Sequence, residues 1–450
     1  MGMVRSIVSF LIVTALCLPE MALAQTKKAP GPNHAAAKES KSLKDSSETK
    51  GTAAEKAQVT LEELVQAALE QNPSIQAARK TVEAKEAKIL PEKTLADPVF
   101  SFQNMGDLIP PRLQEGDPSS GRTFSIEQEI PFPGKLGLKG KMASKEAEAQ
   151  SWDYEQTRRQ VVSDLKKAYY DHFFIHKSIR IVKEDRELLR SFEEIAQAKY
   201  RVGQGTQQDV LKAQVEISKL TDRLIVLDQR LEISTALINS LLYREPGAPL
   251  GEPADFQKAQ LSQTLDELNR MALSNAPSLN KQQREIERSE YAVKLARLEH
   301  YPDFAVGFAY VNRGEMPEMY GLMFKAKLPV YFWRKQGPEL SGATSQLSGA
   351  QKERDSISST LYYNVKDAYT VATTSDQLTQ LYQKALIPQS SLSLEAAIAS
   401  YQVGTVDFLT LVDSVVTLLE YQLKYYEALT DFQKALAQLE PFVGIELTKP

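Results

Sequence analysis

The sequence predicts a mainly α-helical chain with a small β part, in which long antiparallel coiled-coil hairpins accompany four short strands. Three observations carry that fold class. One pattern occurs twice along the chain, its longest segments keep apolar residues at 3-4 spacing without Gly or Pro, and four segments alternate in polarity.

Composition sets the outer limits. The 450 residues carry 54 Lys+Arg against 58 Asp+Glu, and 42% are hydrophobic. A mean hydropathy of -0.34 excludes a polytopic helical membrane protein, which needs repeated runs of ~20 apolar residues. A net charge of -4 gives no reason to expect nucleic acid as a partner. Four histidines and one cysteine leave little material for a zinc site or a cysteine nucleophile, and no cofactor is expected.

Residues 1–24 read as a secretory signal: Arg5, an apolar core from Ile7 to Leu18, and the cleavage pattern Ala22-Leu23-Ala24. Cys17 reads as a hydrophobic residue of the discarded signal, because Leu16 stands where a lipidated cysteine prefers a small neighbour; lipid modification is the alternative. Residues 25–58 are rich in Lys, Ala, Ser, Pro and Glu and read as a disordered tether, with too little apolar surface to offset ordering entropy.

The body divides into two repeats, 59–250 and 251–450. Leu61-Glu62-Glu63-Leu64, Ala68-Leu69 and Pro73-Ser74-Ile75 match Leu265-Asp266-Glu267-Leu268, Ala272-Leu273 and Pro277-Ser278-Leu279 at an ungapped offset of 204. Pro98 and Phe100 match Pro302 and Phe304 at the same offset, and Ile130-Pro131 matches Leu328-Pro329 at 198. The lost residues fall where Gly106–Gly121 is replaced by the shorter Arg313–Glu318, which marks a surface loop.

Each repeat reads helix, strand, loop, strand, very long helix, tight turn, long helix. No Gly or Pro interrupts the chain between Gly140 and Gly203, and Leu165, Ala168, His172, Ile175, Ile179, Val182, Arg186 and Leu189 form its seam. After the turn Val210, Ala213, Ile217, Leu220, Leu224 and Leu227 continue it. In the second repeat Leu409, Val412, Val416, Leu419, Leu423 and Tyr426 form the seam, and Pro388 should break or kink its helix.

The strands have period 2. Phe124, Ile126 and Ile130 oppose Thr123, Ser125, Glu127 and Glu129; Tyr320, Leu322, Phe324, Ala326 and Leu328 oppose Gly321, Met323, Lys325 and Lys327. Val99–Met105 and Phe304–Asn312 alternate too. Such segments suit a membrane barrel with apolar residues outward. A soluble sheet packed on helices alternates in the same way. The two differ in whether Phe124, Ile126, Leu322 and Phe324 face lipid or helices. Tyr331, Phe332 and Trp333, with Phe132 at the matching place, suit anchors at a membrane interface.

Taken in order and twice over, these features resemble the TolC family of outer-membrane efflux channels. The resemblance spans essentially Leu61 to Leu447. It is carried by the doubled plan, by Gln128-Glu129-Ile130-Pro131-Phe132-Pro133-Gly134-Lys135-Leu136 after the second strand, and by the tips Tyr200-Arg201-Val202-Gly203-Gln204-Gly205-Thr206 and Tyr401-Gln402-Val403-Gly404-Thr405. It implies a homotrimer in which each protomer gives four strands to a 12-stranded β-barrel in outer-membrane lipid, continued by an α-helical tunnel through the periplasm of a Gram-negative cell. It further implies passive conduction, not enzymatic work. An inner-membrane pump, of the RND type, and a periplasmic adaptor would dock at Val202, Gly203, Gly205, Val403 and Gly404.

The same resemblance implies a tip gate in which Asp209 and Tyr401 form a linking pair and Asp413 a ring of carboxylates. Val406 and Thr410 stand where the family's best-known member has a latch arginine and a second ring aspartate, so the latch must differ. Read from the residues alone, Asp209 is a helix-start residue and Asp413 an exposed coiled-coil position. Glu127, Glu129, Lys325 and Lys327 would line the barrel, their mixed signs giving a compensated, hydrated lumen. His172 and His176 have i, i+4 spacing but read as polar seam residues without further ligands. Met316, Met319 and Met323 cluster near the second outer loop, and a chance grouping explains them. The proline-rich stretch looks most like the heavy-metal-resistance branch, pointing to metal-cation export. The rival class is a secreted coiled-coil scaffold or periplasmic adaptor.

Overall fold

The computed structural model describes residues 58–448, apart from 109, 110 and 115. The expected signal peptide and all but Gln58 of the expected tether lie outside the described residues.

The first helix, α1 (Leu61–Gln71), starts where Thr60 and Glu63 exchange hydrogen bonds in a capping box, and α2 (Pro73–Ala87) starts on a proline already set to helical φ. The same devices open α6 (Leu265–Asn275), through Thr264 and Glu267, and α7 (Pro277–Leu298). Between them lie α3 (Ile89–Lys93), strands β1 (Val99–Met105), β2 (Asp107–Leu108), β3 (Pro111–Arg112) and β4 (Gly121–Ile130), then helices α4 (Lys135–Arg201) and α5 (Gln207–Leu241). After α7 come β5 (Asp303–Asn312), β6 (Met319–Lys327), α8 (Gln336–Leu381), α9 (Ile387–Gln402) and α10 (Phe408–Val443). The segment expected to be a plain loop, Gly106–Gly121, contains the small antiparallel ribbon β2–β3.

Helix α4 has 67 residues, ~100 Å at 1.5 Å per residue, and is the spine of the fold. It packs against α1, α2, α5, α7 and α10. The seam read from the sequence is buried from Leu165 to Leu189, except that Arg186 is half-buried. Near the tips Ile179, Val182, Leu189, Leu220, Leu224, Leu394, Leu411, Val415 and Leu419 form one core cluster. Two others form around Leu64, Leu165 and Ile238, and around Leu268, Val365 and Leu436. Asparagines one place apart in the repeat register dock the return helices: Asn72 Nδ2 donates to the Leu241 carbonyl and Asn275 Nδ2 to that of Val443, each at 2.9 Å. Each satisfies an orphan carbonyl at a helix C-terminus.

Two local expectations need correction, and one holds. The seam of α10 begins at Phe408 and Leu411, not Leu409, which is 44% exposed. Asp407 caps α10, and the Phe408 ring packs 5.6 Å from that of Tyr401, which sets the register by one residue. At Pro388 the α-helix is broken as expected: a π-helical turn, Tyr382–Leu386, separates α8 from α9 and absorbs the missing N–H. Phe132 is half-buried and stacks 4.6 Å from Tyr301, so it is not a counterpart to the exposed Tyr331, Phe332 and Trp333.

Candidate functional site

The strands form one antiparallel sheet in the order β1-β4-β5-β6, leaving β1 and β6 as open edges. Register places Phe100, Ile126, Phe308 and Leu322 in one row, and Phe102, Phe124, Tyr310 and Tyr320 in the next. All these side chains therefore share a face. Nothing in the described chain covers it: Leu322 is 76% and Phe324 78% exposed. A soluble sheet packed on helices would bury this row, since each such side chain gains ~1.5–3 kcal/mol by leaving water. The uncovered aromatic ladder is what a lipid-facing wall requires.

The opposite face carries small and polar groups. Lys325 Nζ lies 2.6 Å from Glu127 Oε2. The pair reaches across β5 where Gly307 and Ala305 leave room. Glu129 shares a register row with Ala305 and Lys325, and Lys327 stands opposite Asp303. All four charges expected in the lumen thus lie on one face. The turn from β4 into α4 is fixed by Lys135, buried at 2% exposure, whose Nζ contacts Glu299 and Asp303 at 2.9 Å each. Asp303 also accepts from the Phe132 N–H at 2.8 Å. That cluster ties the sheet to α4.

At the far end of α4 both tips are built alike. The chain turns at Gly203 (φ 73) and Gly404 (φ 78), a backbone region that L-residues rarely adopt. Gln204 N–H donates to the Lys199 carbonyl at 2.8 Å and Thr405 N–H to that of Ser400 at 3.0 Å. Val202 and Val403 are left 69% and 76% exposed, so each tip presents an apolar side chain beside a glycine. Gly205 packs against Lys199, where a Cβ would meet the Lys199 Cβ at 3.1 Å.

The expected gate residues have different local settings. Asp209 completes a capping box with Thr206, its Oδ2 accepting the Thr206 N–H at 3.1 Å. Tyr401 is buried, and burial together with the Asp209 charge raises its pKa. No hydrogen bond joins the two among the described residues. Asp413 lies exposed on α10, one turn beyond Thr410. Thr410 donates to the Asp407 cap from both its N–H (2.9 Å) and its hydroxyl (2.5 Å), which hold the Asp407 carboxyl below its usual pKa.

Sequence reading missed Lys199. Its Nζ donates to the Tyr401 carbonyl at 2.9 Å and stands 3.8 Å from the Tyr401 ring centroid, tying one tip to the other. Its only sequence signal was asymmetry: Ser400 occupies the matching place in the second tip motif. The outer methionines are also engaged, with Arg313 3.2 Å from the Met316 sulfur and 3.3 Å from that of Met319. His172 is buried with Nδ1 2.7 Å from Ser234 Oγ, and burial plus His176 lowers its pKa to about 4.

Among the described residues no helix is long and apolar enough to cross a membrane. The chain is 21% identical over 397 residues to the cobalt-zinc-cadmium resistance protein CzcC of Cupriavidus metallidurans, covering 86% of this chain and 90% of that protein. Its fold is similar to the outer membrane protein VceC of Vibrio cholerae (TM-score 0.73, 15% identity, covering 85% of this chain and 96% of that one). It is also similar to CusC, whose structures concern folding and transmembrane channel formation (TM-score 0.72, 14% identity, covering 85% and 91%). The family model described as outer membrane efflux protein matches residues 64–242 and 268–444, one stretch in each half of the chain. With the uncovered sheet face and the paired helical hairpins, that match means that the chain belongs to the outer membrane efflux protein family, a family of channels rather than enzymes.

Proposed function

We propose that three copies of this chain form the outer-membrane duct of a tripartite export system and passively conduct divalent metal cations out of the cell. The observation that carries the reading is the uncovered apolar face of a sheet with two open edges. Four strands cannot close a barrel, and bare edges in lipid leave backbone groups unsatisfied. Joining β1 of one protomer to β6 of the next removes every edge.

The helices support the same closure. Helices α4 and α10 pack together, α5 lies on α4, and α8–α9 lie on α10. The margins of the helical layer are therefore α5 on one side and α8–α9 on the other. Both keep exposed apolar residues: Leu211, Val215, Ile225, Ile233 and Leu237 on α5, and Val371, Leu378 and Leu392 at multiples of seven on α8–α9. One head-to-tail rotation would bury both margins and pair both strand edges, and a rotation that returns to its start gives a ring.

Within that ring Glu127, Glu129, Lys325 and Lys327 face the lumen, and the Lys325–Glu127 pair keeps it hydrated without a dominant sign. Val202 and Val403 are the docking points for a periplasmic adaptor, which couples the duct to an inner-membrane pump. Asp413, exposed near the mouth, supplies threefold negative charge that concentrates cations. The cargo assignment rests on the likeness to CzcC. Its test is a deletion strain grown in graded cobalt, zinc and cadmium. Lost tolerance that is restored by the intact gene and not by Val403→Asp supports the reading; unchanged tolerance to all three metals rejects the cargo.

A further inference from the structure

The i, i+4 histidines acquire a more specific arrangement in the fold than their spacing alone suggested. His172 and His176 meet with Nε2 atoms 3.2 Å apart and ring planes at 69°. The Ser234 hydroxyl of α5 donates to the Leu231 carbonyl at 3.0 Å, so its lone pair accepts from His172 Nδ1–H at 2.7 Å. That hydrogen bond selects one tautomer of His172 and leaves the Nε2 lone pair aimed at His176. A ring nitrogen held by an outer partner while the other points at a ligand position is the arrangement in which histidines bind metals.

The separation fits. Two nitrogens 3.2 Å apart, each bonded at ~2.05 Å, subtend about 100° at a shared cation, close to tetrahedral. The dyad opens on a cavity of about 930 Å³ between α1, α4, α5 and the segment after α5. Its lining includes Glu63, Thr235 and Glu252, with Arg244 as the one cationic side chain. Arg244 donates to the Pro249 carbonyl at 3.3 Å, within its own loop.

We propose that His172 and His176 form a two-nitrogen site for a divalent first-row transition cation, with water from the adjoining cavity filling the remaining positions. Among the described residues no third His, Cys, Asp or Glu side chain joins them in a cluster able to hold a metal. The site is therefore open and exchangeable, unlike the closed four-ligand sites that fix a fold. Binding uses His176 in its Nδ1–H tautomer, so that both Nε2 lone pairs face the cation. The inference is independent of the channel reading, since it concerns a helix face and cavity away from the sheet and the tips.

The test titrates Co²⁺ alone into the untagged full-length protein in detergent, following its visible d–d bands and measuring stoichiometry by equilibrium dialysis. One Co²⁺ per chain is expected, with His300→Gln unchanged. His176→Gln should bind at least about tenfold more weakly, and Ser234→Ala about 10- to 100-fold more weakly through loss of the outer partner. His176 is only half-buried, so its variant keeps the fold, and a circular-dichroism melt verifies this. Equal affinity in wild type and His176→Gln overturns the proposal, as does an absence of Co²⁺ binding by folded wild-type protein.

Discussion

Asp185 lies half-buried on α4 with one carboxylate oxygen making no hydrogen bond, and burial aided by Glu184 raises its pKa from 3.8 to about 6. The fold therefore holds the proton more tightly than the unfolded chain does. The associated stability is complete below about pH 3.8 and is lost as pH rises through about 6. Asp185→Asn, neutral throughout, should melt a few degrees higher than wild type at neutral pH and equally near pH 4, measured by circular dichroism. At the tips, Lys199→Met removes the ammonium that engages both the Tyr401 carbonyl and its ring. The expected result is a larger closed-state conductance in a planar bilayer; an unchanged value would show that this tie does not hold the gate. Asp413→Asn should weaken the preference for cations in reversal-potential measurements, and equal reversal potentials would remove Asp413 from the mouth.

At the scale of elements, α10 shows how one helix-breaking residue is accommodated. Pro441 lies inside the helix and has no N–H for the Ala437 carbonyl, and Ser163 Oγ of α4 donates to that carbonyl at 2.8 Å. Ser163→Ala should cost ~1–3 kcal/mol by leaving a buried acceptor unmade. In a Pro441→Ala background, where the helix supplies its own donor, the cost should shrink toward zero in urea titrations. A cost unchanged by the second substitution would contradict this assignment. This contact also marks where sequence reading ends. Strand positions were legible because period-2 alternation names a face, and the α4 seam was legible because heptad spacing does the same. Ser163 on Ala437, Lys199 on Tyr401 and Ser234 on His172 join residues distant in sequence or in different elements, and no local pattern encodes them. The one-residue error at Leu409 has the same origin, since the ring contact between Phe408 and Tyr401 overrode the apolar periodicity. The candidate tips were found because a glycine turn repeats, whereas their actual polar tie was not.

For the whole molecule, bulk composition is polar while the sheet keeps an uncovered apolar face. Both descriptions hold, because only four short strands carry the apolar face while the long helices bury narrow seams and expose charge. The protomer is incomplete by itself: two strand edges and two helical margins end without partners of their own. Leu322→Arg places a charge on the lipid face at a cost of ~2–4 kcal/mol if the site lies near the bilayer midplane. It should lower the yield of outer-membrane protein while leaving the register partner Phe308 unable to compensate. The central claim is that three protomers close one conducting barrel. Its most direct test is to extract the protein from outer membranes in detergent, determine its mass by light scattering, and record conductance after insertion into a planar bilayer. A trimer giving discrete, cation-preferring conductance steps is the predicted result. A monomer recovered from the soluble periplasm that gives no steps would contradict it.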